Sequence, residues 1–243
     1  MNYNTNQTQE HTHKTVSQEE LHNALLKSLT DAKNFRLLAA QNAELLGVKN
    51  SLKRFQVSRL KQTHKDFLNS PDTQEATCFF LEELYNTKDL TQRDSQTEKL
   101  IPFILKVFPK QTLQIISKAF TLDALTERLD TQMANAIILD SGNNVTITEQ
   151  EYKKYCTKAT TKHEREQQLN LVREVGLELC SVVKIPLISQ VLKTMRIPAK
   201  IANLLEIHNF LERGFNTFKN TNNPEFFVTN IYSREMDVLQ SYY

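Results

Sequence analysis

Two glutamates stand where helical spacing would bury them. Residues 79–85 read Phe-Phe-Leu-Glu-Glu-Leu-Tyr, and at 100° per residue Glu83 falls within the apolar stripe of this segment. Near the end of the chain, Glu235 falls at the centre of an apolar face that includes Ile231 and Leu239. A buried carboxylate is costly unless a partner compensates its charge, so each glutamate predicts a partner.

Two arginines are the natural partners of these carboxylates. Arg59 lies on the apolar face of segment 51–69, and the next segment holds Glu83, so antiparallel packing predicts an Arg59–Glu83 pair. Arg165 lies near the N-terminal end of segment 162–183, on the same side as its apolar face. We expect it to pair with Glu235. Two interpretations stay open. The four residues form buried ion pairs that fix helix packing, which is the commoner case, or they line a polar pocket.

Motifs for metal, nucleotide or covalent chemistry are not apparent. Glu19-x-x-His22 has the spacing used in di-metal bundles, but it lies beside the N-terminal tail and no other predicted helix carries the motif. The four glycines have no phosphate-loop spacing, and Cys78, Cys156 and Cys180 form no Cys-x-x-Cys pair. We predict no catalytic residue, no metal site and no cofactor, and we expect reduced, buried cysteines in a reducing compartment.

A basic run is the main charge feature of a chain whose net charge is only +2. No acidic residue stands between Gly47 and Lys65, and the cations there are Lys49, Lys53, Arg54, Arg59, Lys61 and Lys65. Such a run can bind nucleic acid or anionic lipid. Neutralisation by the acidic stretch 72–98 on neighbouring helices is the commoner arrangement. With so small a net charge, nucleic acid is the less favoured partner.

Capping boxes and apolar periodicity predict helices along most of the chain. Four segments begin with a capping box, namely Ser17-x-x-Glu20, Ser95-x-x-Glu98, Thr148-x-x-Glu151 and Thr161-x-x-Glu164. Helical spacing predicts segments 17–46, 51–69, 73–86, 95–107, 110–119, 122–139, 148–159, 162–183, 186–195, 199–219 and 224–240. Alternating strand patterns are almost absent. We predict an all-α fold, a single bundle of about ten helices.

The chain is predicted to consist of a tail and one domain. Residues 1–15 are polar and predict a disordered tail, and residues 16–243 predict a helical domain with a surface loop at 140–144. No apolar stretch approaches the roughly 20 residues that span a bilayer, so we expect no transmembrane segment. An apolar stripe in segment 199–219 could be part of the hydrophobic core, line a ligand cavity or form a dimer surface. Its residues are Leu204, Ile207, Leu211, Phe215 and Phe218.

Residues 79–85 resemble the signature of the bacterial FFLEELY-motif proteins, an uncharacterised family. Further patterns of that group recur in the same order: Arg54-Phe55-Gln56, Arg59-Leu60, Lys88-Asp89, Arg93-Asp94, Met195–Ala199, Phe210-Leu211-Glu212, Gly214-Phe215 and Arg234-Glu235. The resemblance covers about residues 50–240. It implies one helical domain in a bacterial protein, and it implies no activity.

These observations favour a non-enzymatic binding or interaction protein of the bacterial cytoplasm, without excluding an enzyme. Its partner would be a protein or a small ligand, and it could form a homo-oligomer. One alternative is a ligand-binding protein or enzyme whose pocket uses Arg59, Glu83, Arg165 and Glu235. The other is a nucleic-acid or anionic-lipid binder that uses segment 49–65.

Overall fold

The computed structural model describes residues 17–84, 91–142 and 146–243, without the side chains of Gln18, Glu83, Leu84, Thr91, Gln92, Arg93, Ser95, Phe103 and Val107. This part of the chain forms eleven helices and no strand, so the predicted all-α bundle is confirmed. The helices are α1 (Gln18–Ala40), α2 (Ala43–Thr63), α3 (Lys65–Asn69), α4 (Gln74–Leu84), α5 (Thr91–Val107), α6 (Lys110–Ser141), α7 (Glu149–Ala159), α8 (Lys162–Val182), α9 (Pro186–Ile201), α10 (Leu205–Asn220) and α11 (Pro224–Tyr242). The expected tail, 1–15, lies outside the described residues.

Three of the four predicted capping sequences start a helix. Ser17 and Thr161 form complete capping boxes, in which side chain and backbone bond reciprocally with the glutamate three residues later. Thr148 accepts a hydrogen bond from the backbone N–H of Glu151. The prediction at Ser95 is wrong, because α5 begins four residues earlier, at Thr91. A capping sequence inside a helix cannot cap it.

Other helix ends differ from the predictions where local signals compete with packing. The predicted segment 17–46 breaks at Gln41, and α2 starts after Asn42, whose side chain accepts a hydrogen bond from the N–H of Leu45. Segments 110–119 and 122–139 form one continuous helix, α6, which ends at Gly142 with a φ of 69°. The predicted loop 140–144 is therefore helical through Ser141, and residues 143–145 lie outside the described residues.

The long helix α6 is the centre of the molecule. It packs against α1, α2, α7 and α8, and α11 in turn packs against α8. One apolar cluster joins α8 and α11 through residues such as Cys180, Phe227 and Ile231. A second joins α2, α6 and α7 through residues such as Leu52 and Met133. The space between these two clusters holds the polar residues described below.

The cysteines in the described residues are free thiols. Cys156 and Cys180 are buried, as predicted, whereas Cys78 is half-buried. Burial raises the pKa of the Cys180 thiol to about 11.

Within the same residues, no single helix is long and apolar enough to cross a membrane. The pair α8 and α9, bent by 90° at their junction, reaches that length and composition only when taken together.

Candidate functional site: a polar cavity between the helices

A polar cavity lies where α2, α6, α7, α8 and α11 come together. It offers about 50 Å³ to the centres of water molecules, which is room for roughly three or four of them. Three of the four predicted site residues, Arg59, Arg165 and Glu235, lie in its wall. Other polar side chains complete the lining, among them Gln56, Thr126, Tyr152, Gln168 and Tyr242. Side chains from distant parts of the sequence thus line one partly open cavity.

Arg59 binds Glu235 across the interface between α2 and α11. Its two terminal nitrogens donate to the two carboxylate oxygens at 3.2 and 2.6 Å, and the pair is nearly buried, with side-chain exposures of 15% and 8%. This bidentate geometry is the strong form of an ion pair. The predicted Arg59–Glu83 pairing is therefore wrong for Arg59. Glu83 lies in α4, and its side chain lies outside the described part of the chain.

His64 adds a third member to this ion pair. Its Nε2 lies 3.0 Å from Oε1 of Glu235, and the ring is 1% exposed. Burial by itself would raise the pKa of the Glu235 carboxyl. The hydrogen bonds from His64 and Arg59 outweigh burial and hold this pKa below its ordinary value. The carboxylate is therefore charged at neutral pH.

Arg165 is a buried cation without a carboxylate partner among the residues that the structure describes. Its guanidinium donates to Thr160 Oγ1 at 3.2 Å, Gln168 Oε1 at 3.0 Å and Met133 Sδ at 2.7 Å, all of them neutral acceptors. Among the described residues it makes no ion pair, so the predicted Arg165–Glu235 bond is wrong. The physical reason is that Arg59 and His64 occupy both oxygens of Glu235, although α8 packs against α11.

A second carboxylate and two neutral side chains complete the polar surroundings. The Nε2 of Gln56 donates to Asp130 Oδ1 at 3.1 Å and to the hydroxyl of Tyr152 at 3.3 Å. Asp130 and Tyr152 are both buried, and burial raises the pKa of the tyrosine. Asp130 is near enough to act on Arg165 through its charge, although the two are not directly bonded. The site thus contains two guanidinium groups and two carboxylates.

Half of the cations in the basic run 47–65 form ion pairs inside the protein. Lys49 and Lys53 donate to the two oxygens of Glu127 at 2.7 and 3.0 Å, and Lys49 is 3% exposed. Their counter-charge comes from α6, so the predicted neutralisation by stretch 72–98 is wrong for these two lysines. Lys61 and Lys65 remain exposed. Half of the cations proposed for a nucleic-acid or lipid surface, namely Lys49, Lys53 and Arg59, therefore face inward.

A second, apolar cavity of about 40 Å³ lies between α5, α9 and α10. Leu204 and Leu211 from the predicted stripe line it, whereas Ile207, Phe215 and Phe218 of the same stripe are buried in the core. His208 also lines it and bonds the backbone carbonyl of Leu192 through Nε2 at 2.7 Å. Across the described residues, no three His, Cys, Asp or Glu side chains come together as a metal site.

Sequence reasoning missed several residues of the polar cavity. The sequence pattern did not identify His64, which is buried against Glu235. Asp130 could have been found, because helical spacing places it on the same face of α6 as the buried Met133, Ala134 and Ile137, the same signal that identified Glu235. Gln56 and Tyr152 carry no such signal, because amphipathic side chains are common on helix faces that pack against neighbours.

The family model of a domain of unknown function, DUF8198, matches residues 36–243. That range begins inside α1 and includes every residue of the polar cavity. Comparison with curated proteins and with solved structures finds no match.

Proposed function

The chain belongs to the DUF8198 family, and we propose that this member binds a small anion, of carboxylate or phosphate chemistry, in the polar cavity. The observation that carries the proposal is the state of Arg165. Its guanidinium is buried and lies in the cavity wall, and within the described part of the chain it bonds only neutral acceptors. A buried cation normally has an anionic partner, since desolvation costs it several kcal/mol.

The other lining groups suit the same kind of ligand. Arginine offers planar, forked donors that match carboxylate and phosphate oxygens. The buried Nε of Arg59 has no hydrogen-bond partner among the described residues, so it is a second available donor. Tyr152, Tyr242 and Gln56 also line the cavity and add polar side chains to its wall. The space of about 50 Å³ restricts the anion to a small one.

Native mass spectrometry of untagged protein, followed by calorimetric titration, tests the proposal. The titrants are inorganic phosphate, acetate, malonate and succinate. We expect one of them to bind at a stoichiometry of one and to raise the melting temperature, because a ligand at 100 times its Kd stabilises the folded state by about 2.7 kcal/mol. Replacing Arg165 by glutamine should weaken that binding at least roughly tenfold, the usual cost of a lost charged hydrogen bond.

The matched control is Arg173→Gln, which removes the same group from an exposed position of the same helix. It should leave the affinity unchanged. The proposal fails if none of the four anions binds and the untagged protein carries no anionic adduct. It also fails if Arg165→Gln folds and binds as tightly as the unmodified protein, because Arg165 would then have only a structural role.

We also infer the origin, the domain organisation and the cellular compartment of this protein. The likeness of residues 79–85 to the FFLEELY-motif group supports a bacterial origin and a single domain over residues 16–243. Free, buried thiols at Cys156 and Cys180 support a reducing compartment such as the cytoplasm. The proposed ligand favours the pocket alternative over an interaction protein, and binding of a protein partner stays a prediction.

A further inference from the structure

Helix α9 presents two chemically different faces. Its inner face, with Ile188, Leu192 and Ala199 buried, packs against α10. Its outer face carries three large apolar side chains in solvent: Leu187 is 52% exposed, Ile197 72% and Ile201 80%. These three account for a third of the large hydrophobic residues exposed in the described part of the chain. A helix this apolar on its outer side needs an explanation beyond the packing of the bundle.

Unpaired cations border this apolar strip. Lys193, Arg196 and Lys200 are exposed, and none of them makes an ion pair or side-chain hydrogen bond within the described residues. At 100° per residue, Lys193 and Lys200 fall beside Ile197, and Arg196 falls further along the same side. No aspartate or glutamate stands between residues 179 and 205. The outer face of α9 is therefore cationic without local compensation.

We propose that the outer face of α9 docks this protein onto an anionic lipid surface. A helix that lies in a membrane interface buries its apolar side chains at the boundary of headgroups and acyl chains and keeps lysines and arginines at the phosphates. The arrangement on α9 matches both requirements. Protein interfaces, in contrast, are enriched in aromatic residues and depleted of lysine, whereas this face has two exposed lysines and no aromatic residue.

The position of α9 in the fold permits such docking without unfolding. The helix packs mainly against α10, and the small apolar cavity lies beneath it on the side of α5. Among the residues that the structure describes, nothing covers Leu187, Ile197 and Ile201 on its outer face. This proposal is independent of the polar cavity, which lies between other helices.

Vesicle flotation of the full chain tests the proposal. Vesicles of pure phosphatidylcholine are compared with vesicles that also contain phosphatidylserine, at low and high salt. We expect binding only to the anionic vesicles, and weaker binding at high salt because screening reduces the attraction. The double variant Lys193→Glu/Lys200→Glu should lose at least about tenfold in affinity. Ile197→Ser/Ile201→Ser should weaken binding at both salt concentrations.

The matched control for charge is Lys110→Glu/Lys162→Glu, which changes the net charge by the same amount at the exposed first positions of α6 and α8. The control for apolar exposure is Leu139→Ser, at a position of α6 that is 86% exposed. Both controls should bind like the unmodified protein. Absence of binding to the anionic vesicles overturns the proposal. So does an equal loss in the lysine control, which would indicate a global charge effect, and so does binding of an acidic protein by α9 without any binding to vesicles.

Discussion

At the scale of single residues, the charged groups that the sequence placed inside the protein differ in how they are neutralised. Glu235 has two direct partners, Arg59 and His64. Arg165 has only neutral acceptors and the more distant charge of Asp130. A fully paired carboxylate has little reason to bind an additional ligand, whereas an unpaired cation in a cavity wall does. This difference separates a structural ion pair from a candidate binding group.

Glu235→Gln should therefore destabilise the fold strongly. The substitution leaves the buried Arg59 without a counter-charge, and we expect a loss of about 3–5 kcal/mol in the free energy of unfolding. Urea denaturation at pH 7 measures it. Asp66→Asn is the control, because it removes a carboxylate from an exposed pair with Arg234 and should cost less than about 1 kcal/mol. Equal losses in the two variants would contradict the buried geometry.

At the scale of helices, α8 and α11 approach each other closely at a glycine. A Cβ atom on Gly176 would lie 2.8 and 2.9 Å from the two γ-methyl groups of Val228. The valine side chain is stiff and buried, so it cannot move away easily. Helix α11 carries Glu235, so the close contact at Gly176 helps to fix the distance between the two helices that wall the polar cavity.

Gly176→Ala should lower stability by about 1–3 kcal/mol, because overpacking outweighs the gain in helix propensity. Gly47→Ala is the matched control within α2, where an added Cβ meets nothing within 4 Å. That variant should be more stable by about 0.5–1 kcal/mol. Thermal and urea unfolding of the two variants check the opposite signs. A stabilised Gly176→Ala protein would show that α8 and α11 have freedom to separate.

At the scale of the whole molecule, one charge network connects α1, α2, α5 and α6. Arg36 of α1 pairs with Asp94 of α5, and it also contacts Glu127 of α6 at 3.5 Å. Glu127 receives Lys49 and Lys53 from α2. Burial would raise the pKa of Glu127, but these three cations lower it to about 2. The network holds the N-terminal half of the bundle to its central helix.

The low pKa of Glu127 makes its contribution depend on pH. The folded protein holds this carboxyl ionised below its ordinary pKa of 4.5, so its stabilisation is complete above about pH 4.5. It is lost as the pH falls toward 2. Glu127→Gln should cost about 3–5 kcal/mol at pH 7, and the difference from the unmodified protein should shrink between pH 4.5 and 3. Urea denaturation at these pH values measures both effects.

Glu98→Gln is the control for the pH experiment, because Glu98 forms an exposed pair with Lys33. It should cost less than about 1 kcal/mol at pH 7. A Glu127→Gln difference that stays constant down to pH 3 would show that the carboxyl is not held ionised by its cations.

Local signals in the sequence were sufficient for the fold class and for the inward direction of several side chains. Apolar periodicity identified the helices, and capping residues located the starts of α1, α7 and α8. The same periodicity placed Arg59, Arg165 and Glu235 inside, because the face on which a residue lies depends only on its own helix. Helix ends were less predictable, as at Ser95, because a capping sequence is overridden when packing extends a helix past it.

The sequence by itself thus determined that Arg59, Arg165 and Glu235 point inward, and the tertiary structure alone decided which of them meet. Arg59 was expected to pair with Glu83 on the next helix, yet it pairs with Glu235 of α11, 176 residues further along the chain. Arg165 lies in the cavity wall without that carboxylate. The physical reason is that helix spacing is a local property, whereas partner choice depends on how all the apolar faces pack together. That choice converts two expected ion pairs into one ion pair and one candidate binding group.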